Sequence, residues 1–439
     1  MAIDPVQRIA LPTVAQSYVF RKNPNLGNVD ELEKTVKVLK QGLYFDLEHF
    51  QSAKALPAEF YGEQVWKALR VMLRQNWLAV GHTKDLVKPF DYITLNFAGG
   101  LLLVIKDEKG KLHAFKNRCT HEKKILVAPP EYPEKGNLSA VKRLDNNKKI
   151  LKCFYHGMKF KINDESPLTK YVVDTWGPLV FVLMQDLRNR PEQIELEKNR
   201  LQAMLAPLNE ITKDMDISSF QTDDEEWNDS LKCHFALFDG NYCDAAHILE
   251  THFKTLAKTL VLPEYKCQYF GPASLQTCPV KEETSGIPGG AMAYYFKLPP
   301  TAAINIYKQN RDRNIPLPPR AINMDSIDTN IVRPIDRKDT VVTFGFHFPP
   351  GWHKLGILKK LLKLFGWDMS LSGKYKASSK RIQYEDRDRC ENAQLGVEND
   401  LGDDIDNFGH FLKPEILKFA FQKWMVLELE QIVVEAKKG

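Results

Sequence analysis

From residue 30 onward apolar side chains return at Leu32, Val36 and Leu39, one stripe of a helical repeat in an otherwise charged segment. The first 55 residues read as an irregular lead-in followed by this short helix. After Leu56-Pro57 the same period resumes at Val65, Leu69 and Met72, predicting a second helix that runs into an apolar strand over 77–82. The pattern then shortens. Segments 92–97, 101–106 and 112–116 read as strands, with a turn at Asp107-Glu108-Lys109-Gly110-Lys111 before the last. The expectation is a lead-in with helices over 1–75 and an all-β domain over 76–190, its strand text ending near 176–181.

Past residue 191 the pattern is mixed. Helical text covers 194–204, strand-like segments appear at 291–296, 327–335 and 340–347, and 413–438 reads as one long amphipathic helix that packs on this domain or against another subunit. The whole is α+β, with a helix-flanked sheet over 191–439. A basic amphipathic run at 354–365 reads most simply as a surface helix with its Leu and Phe face buried and its lysines in water. Its functional alternative is docking of an acidic electron carrier or a membrane.

Composition changes this picture little. The net charge of +5 over 439 residues does not argue for nucleic acid, and no aromatic-interleaved basic motif suggests it. Seven cysteines, an odd and modest number for so long a chain, argue against a disulfide framework and fit a reducing cytoplasm. Residues 1–20 lack a cationic segment leading into an apolar run, and the longest apolar stretch, 176–184, is too short to span a bilayer.

Chemistry enters with Cys119-Thr120-His121 and Cys153-Phe154-Tyr155-His156, which supply two thiolates and two imidazoles. That set suits a Rieske [2Fe–2S] centre, where two His replace two Cys on one iron. A structural zinc site is the rival, but zinc fingers pair Cys with Cys and His with His. Farther on, Gly240 to His252 holds Asp244, His247 and His252. Two His and a carboxylate with open positions suit non-haem Fe(II) for O2 chemistry. On a helix Asp244 and His247 would share a face, while His252 overshoots a turn, so the helix must end or bulge there. Taken alone, such a His pair is more often satisfied by ordinary hydrogen bonds; the cluster motif upstream shifts the weight. A further acid is needed, and Glu385, Asp386 and Asp388 are all candidates that spacing does not separate.

These residues together resemble the α subunit of the Rieske non-haem iron oxygenases, closest to the choline and glycine-betaine monooxygenase-like branch. The similarity runs over about 56–400: Leu56 to Tyr61 and Trp77 to His82, the loops Asn117-Arg118-Cys119-Thr120-His121 and Cys153 to Gly157, Asn241 to His247 with His252, and Glu385-Asp386 with Cys390-Glu391 and Gln394-Leu395-Gly396. The resemblance implies a Rieske domain beside a START/Bet v1-like catalytic domain. It also implies that Cys119, His121, Cys153 and His156 bind the cluster and that His247, His252 and Asp386 bind a mononuclear iron. Asp244 falls at the family's bridge between a cluster histidine, His156 by position, and His247 of a neighbouring subunit, within a head-to-tail homotrimer. Asn241 supports the iron site or merely caps backbone; Cys243 reads as a packed residue.

The chain departs from the family in three places. Thirty-one residues separate His121 from Cys153, about twice the usual interval, with the excess around 129–135 read as an exposed loop. Glu122-Lys123 stands where Arg-Gly is usual, and Met158 where Trp is common. With no glycine-rich dinucleotide fingerprint, electrons are expected from NAD(P)H through a reductase or ferredoxin. The expected activity is O2-dependent hydroxylation, with N-dealkylation a further outcome, of a small organic substrate of the quaternary amine kind. The alternatives are an aromatic or polycyclic substrate or, in another class, a Rieske electron carrier without O2 activation.

Overall fold

The computed structural model describes residues 7–8, 26–129, 133–140, 144–145, 150–223, 226–281, 289–309, 325–352, 370–400 and 409–438. The basic run at 354–365 and positions 130–132 of the insertion lie outside the described residues. The chain forms two compact units, one of residues 69–203 with 333–336, the other of 1–68 with 204–332 and 337–439.

In the unit of 69–203, seven strands pair in the order Trp77–His82, Leu179–Leu183, Lys170–Trp176, Leu112–Lys116, Gly100–Lys106, Asp91–Phe97, Lys135–Asn137, all antiparallel. A small sheet of Lys159–Lys161, Ile150–Lys152 and Leu144–Asp145 carries the second Cys-His loop. The apolar alternation of 91–116 buries Tyr92, Leu103, Ile105 and Phe115 with Leu151 and Phe160, and Cys119 and Cys153 belong to this same cluster. Each such large side chain contributes about 1.5–3 kcal/mol on burial. The first metal loop is pinned at its root: Asn117 accepts the Val127 N–H (3.0 Å), donates to Thr94 Oγ1, and its own N–H donates to Leu101 O (3.0 Å).

The other unit is built on a nine-stranded sheet. Lys266–Phe270, Ala273–Pro279, Ala291–Leu298, Ala302–Gln309 and Ser326–Pro334 follow one another as antiparallel neighbours. Thr340–Phe348 comes next and pairs with both Trp227–Leu231 and Gln221–Thr222, while Gln7–Arg8 lies parallel to Lys266–Phe270 at the far edge. The first helix, Val29–Gly42, begins at Asn28, whose side chain accepts the Glu31 N–H, and buries Leu32, Val36 and Leu39 as the periodicity requires. It packs on the helix Ile416–Lys438. That helix packs on this unit, one of the two expectations, but it is not one-sided: Phe419 to Gln422 and Trp424 to Val426 are all buried, with the helix 29–42, the strand 266–270 and the helix Phe235–Tyr242 packed on it. Among the described residues no helix is long and apolar enough to cross a membrane.

Candidate functional site

Cys119 and Cys153 open two turns of the same design. The Cys119 N–H donates to Lys124 O (2.7 Å) and the Cys153 N–H to Met158 O (2.8 Å), each five residues on. The residue before each acceptor has left-handed backbone, φ 57° at Lys123 and 72° at Gly157. This geometry turns both thiols inward, where they are buried, and leaves both imidazoles exposed, with the His121 and His156 rings 4.9 Å apart. Two sulfurs on the inside and two ring nitrogens on the outside is the division of donors that a mixed-ligand two-iron cluster needs, so the four side chains fit that group. Met158 Sδ lies 3.9 Å from Cys119 Sγ, placing a soft thioether beside the thiol.

The second constellation is assembled from two distant segments. The helix Phe235–Tyr242 stops before Asp244, whose Oδ1 accepts the Ala246 N–H (2.7 Å) and diverts the chain into the short 3-10 turn Ala246–Ile248. Thr251 N–H to His247 O (2.7 Å) and His252 N–H to Ile248 O (3.2 Å) close the next turn. Asp244 and His247 therefore sit on a string of turns and not on one helical face, because the Asp side chain competes for backbone N–H groups. The outcome brings Nε2 of His247 to 3.5 Å and Nε2 of His252 to 3.0 Å from Asp386 Oδ1. One ligand atom from each of the three lies within 4.8 Å of the others.

Asp386 comes from the helix Leu371–Asp400, in a run of charged residues that would ordinarily mark a solvated face. Its buried positions include Tyr375, Gln383, Cys390 and Gln394, and Asp386 falls on that helical line. Asp388 points to solvent, whereas Glu385 accepts from His252 Nδ1 (2.7 Å) and from Thr255 Oγ1 (2.7 Å). A carboxylate on Nδ1 fixes the tautomer that leaves the Nε2 lone pair free for a metal. Asn241 Nδ2 donates to Asp386 Oδ1 (2.8 Å), so this Asn holds the acid and does not cap backbone. Asp244 Oδ2 lies 3.8 Å from His247 Nδ1 and 3.9 Å from Lys418 Nζ, and Cys243 is buried as a packed residue. Thr255 and Lys418 carried no signal in the sequence; only the long-range packing finds them.

The charges fit a cation. Burial works against a charge on His247, yet the carboxylates of Asp244 and Asp386 push its pKa up to about 9. Burial likewise opposes ionisation of Asp386, and the two imidazoles nevertheless hold it well below the usual carboxylate range. His247 Nδ1 is buried without a hydrogen-bond partner. A pocket that draws a proton onto an imidazole so strongly also stabilises a divalent ion, and two His with one carboxylate match Fe(II).

These three side chains line a cavity of about 110 Å³. Its wall carries a cross-strand row, Gln276, Tyr295, Asn305 and Asp328, in which each residue pairs directly with the next across four strands.

Residues 76–170 match the Rieske [2Fe-2S] domain. Choline monooxygenase, chloroplastic, of Arabidopsis thaliana is 24% identical over 352 residues, 74% of this chain and 72% of that protein. Among solved structures, a quaternary ammonium Rieske monooxygenase, CntA, superposes with a TM-score of 0.63 at 17% identity, over 86% of this chain and 95% of that one. Naphthalene 1,2-dioxygenase from Rhodococcus sp. gives 0.62 at 16% identity, over 92% and 99%.

Proposed function

We propose that this Rieske-type oxygenase chain is the oxygenase component of a system that takes electrons from NAD(P)H through a reductase and uses O2 to hydroxylate a small quaternary amine. The observation that carries the reading is the convergence of His247, His252 and Asp386 on one point of a cavity, in a chain that also bears a Rieske domain. A bare electron carrier has no use for a second, cavity-lined ligand set. We assign residues 1–75 to the lead-in, 76–190 to electron entry and 191–439 to catalysis.

When bound, the [2Fe–2S] cluster supplies single electrons and the Fe(II) supplies O2 activation. Cys119, His121, Cys153 and His156 would hold the first, His247, His252 and Asp386 the second. Glu385 and Thr255 orient His252, and Asn241 fixes Asp386, so the ligand atoms are set before metal arrives. Asp244 has one oxygen on its own turn and the other toward His247, which suits it to bridge His247 to His156 of a neighbouring subunit in a head-to-tail trimer. Seven free cysteines favour a reducing, cytoplasmic setting.

The test is the metal content and spectrum of purified protein. About three irons per chain are expected, with dithionite giving the paramagnetic signal of a mixed-ligand two-iron centre. Reconstitution with a surrogate reductase should then couple O2 uptake to product with a quaternary amine. Two irons per chain, unchanged in His247→Ala, would move the chain to the carrier class.

A further inference from the structure

We infer that the cavity beside the two imidazoles takes an organic monocation, an alkylated ammonium carrying no carboxylate, with Asp328 as its counter-charge and tyrosine rings as its wall. The inference rests on the reading of the cavity as a substrate site and narrows the substrate class. Asp328 is 4% exposed, lines the cavity, and is met only by neutral groups: the Tyr375 hydroxyl donates to Oδ2 (2.7 Å) and Asn305 Nδ2 to Oδ1. Among the described residues no lysine, arginine or histidine pairs with it. An uncompensated carboxyl in such a place is costly unless a cation is delivered to it.

The surrounding rings suit that cation. Tyr295 meets Tyr307 at 85° and Tyr307 meets Tyr375 at 82°, with centroids 6.1 and 5.8 Å apart, an aromatic corner bordering the cavity. Aromatic faces attract a fully alkylated ammonium, which has no N–H to donate and so asks for no acceptor. The hydroxyls are already engaged: Tyr242 donates to Asn305 Oδ1 (2.6 Å), Tyr265 to Gln276 Oε1 (2.9 Å), and Tyr295 and Tyr307 bond each other (3.2 Å). No lysine or arginine lies among the described residues lining the cavity, and its two imidazoles are committed to the metal, so a substrate carboxylate would meet Asp328, Asp386 and Asp244 with no free basic side chain to receive it.

The experiment is calorimetric titration of the metal-loaded full chain with tetramethylammonium, choline, L-carnitine and the neutral choline isostere 3,3-dimethylbutan-1-ol. Tetramethylammonium and choline should bind, with the neutral isostere and L-carnitine at least tenfold weaker. Asp328→Asn should weaken choline at least tenfold and leave the isostere within twofold. Equal binding of choline and its isostere, or an Asp328→Asn protein that binds choline normally, overturns the counter-charge role. The wild-type arm decides the matter even if the variant fails to fold. L-carnitine binding as tightly as choline overturns the monocation restriction and leaves the quaternary-amine reading standing. No binding of tetramethylammonium, choline or L-carnitine removes the reading beneath both.

Discussion

The two metal-binding regions solve one problem by opposite means. At Cys119 to Lys124 and Cys153 to Met158 each turn supplies two donors from a few consecutive residues, and the histidines stand in solvent. At His247, His252 and Asp386 the donors come from two segments well over a hundred residues apart and are nearly buried, with Asp386 and His252 each held by another side chain. The first arrangement is local and tolerates changes around it; the second exists only when the helix 371–400 has docked. Substitutions should therefore separate the two regions cleanly.

The largest separation is expected from Asp386→Ala. The mononuclear iron should fall from about one per chain to near zero, with the two cluster irons and their spectrum intact, and turnover should drop by roughly a thousandfold or more. Asp388→Ala, on the exposed side of the same helix, should keep all three irons. The reverse result would put the ligand on the other face. Asp244→Ala sharpens the contrast from the other side, since it touches neither set of ligand atoms as a donor. Both metals should stay bound while single-turnover reduction of the catalytic iron slows by about two orders of magnitude, and normal transfer in that variant would remove the bridge.

Glu385→Gln comes next. The amide still reaches His252 Nδ1 but no longer fixes its tautomer through a charge, and metal affinity should fall by about 10–100-fold, read by chelator competition. Cluster retention should not change. The same size of effect is expected from pH on the cavity wall. Burial pushes the Asp328 carboxyl up to about 7, so in the free protein the proton is held more tightly than in the unfolded chain. Stability from this group is full below the ordinary carboxylate range and is lost as pH rises through 7. A bound cation reverses the preference: tetramethylammonium affinity should rise with pH and level off above about 7, losing roughly tenfold per unit below it. The groups facing Asp328 are Asn305 and Tyr375, with Tyr295 and Tyr307 beside them, and burial raises these tyrosines far above that range. Affinity independent of pH from 5.5 to 8 would sever the acid from the ligand.

The same division explains what could be read along the chain. The cluster motifs are legible because their donors are adjacent and their strands alternate, so 77–82 and 112–116 emerge as strands with the bounds expected. The end of the helix before His252 is legible in the five-residue spacing from His247, but the side-chain-capped turn at Asp244 that ends it is not. The choice of Asp386 over Asp388 was also hidden within the sequence itself: a charge run hides a buried stripe unless Tyr375, Gln383, Cys390 and Gln394 are read as one helical line. The row Gln276, Tyr295, Asn305, Asp328 needs the register of four strands, which no local pattern contains.

The smallest effect tests the likeness of the two cluster turns to each other. Both need left-handed backbone at the fourth residue after Cys, and one has Gly157 there while the other has Lys123. A β-carbon costs about 1–2 kcal/mol in that conformation. Lys123→Gly should then stabilise the first turn by about 1 kcal/mol, seen as slower loss of cluster absorbance in urea. Gly157→Ala should do the opposite by a similar amount. Its new Cβ would meet only Lys152 Cε at 3.6 Å, an ordinary contact, so the penalty would come from backbone conformation and not from crowding. If Lys123→Gly leaves cluster loss unchanged while Gly157→Ala hastens it, the two turns are alike in hydrogen bonding alone, and the first is held in its left-handed shape by the Asn117 knot at its root.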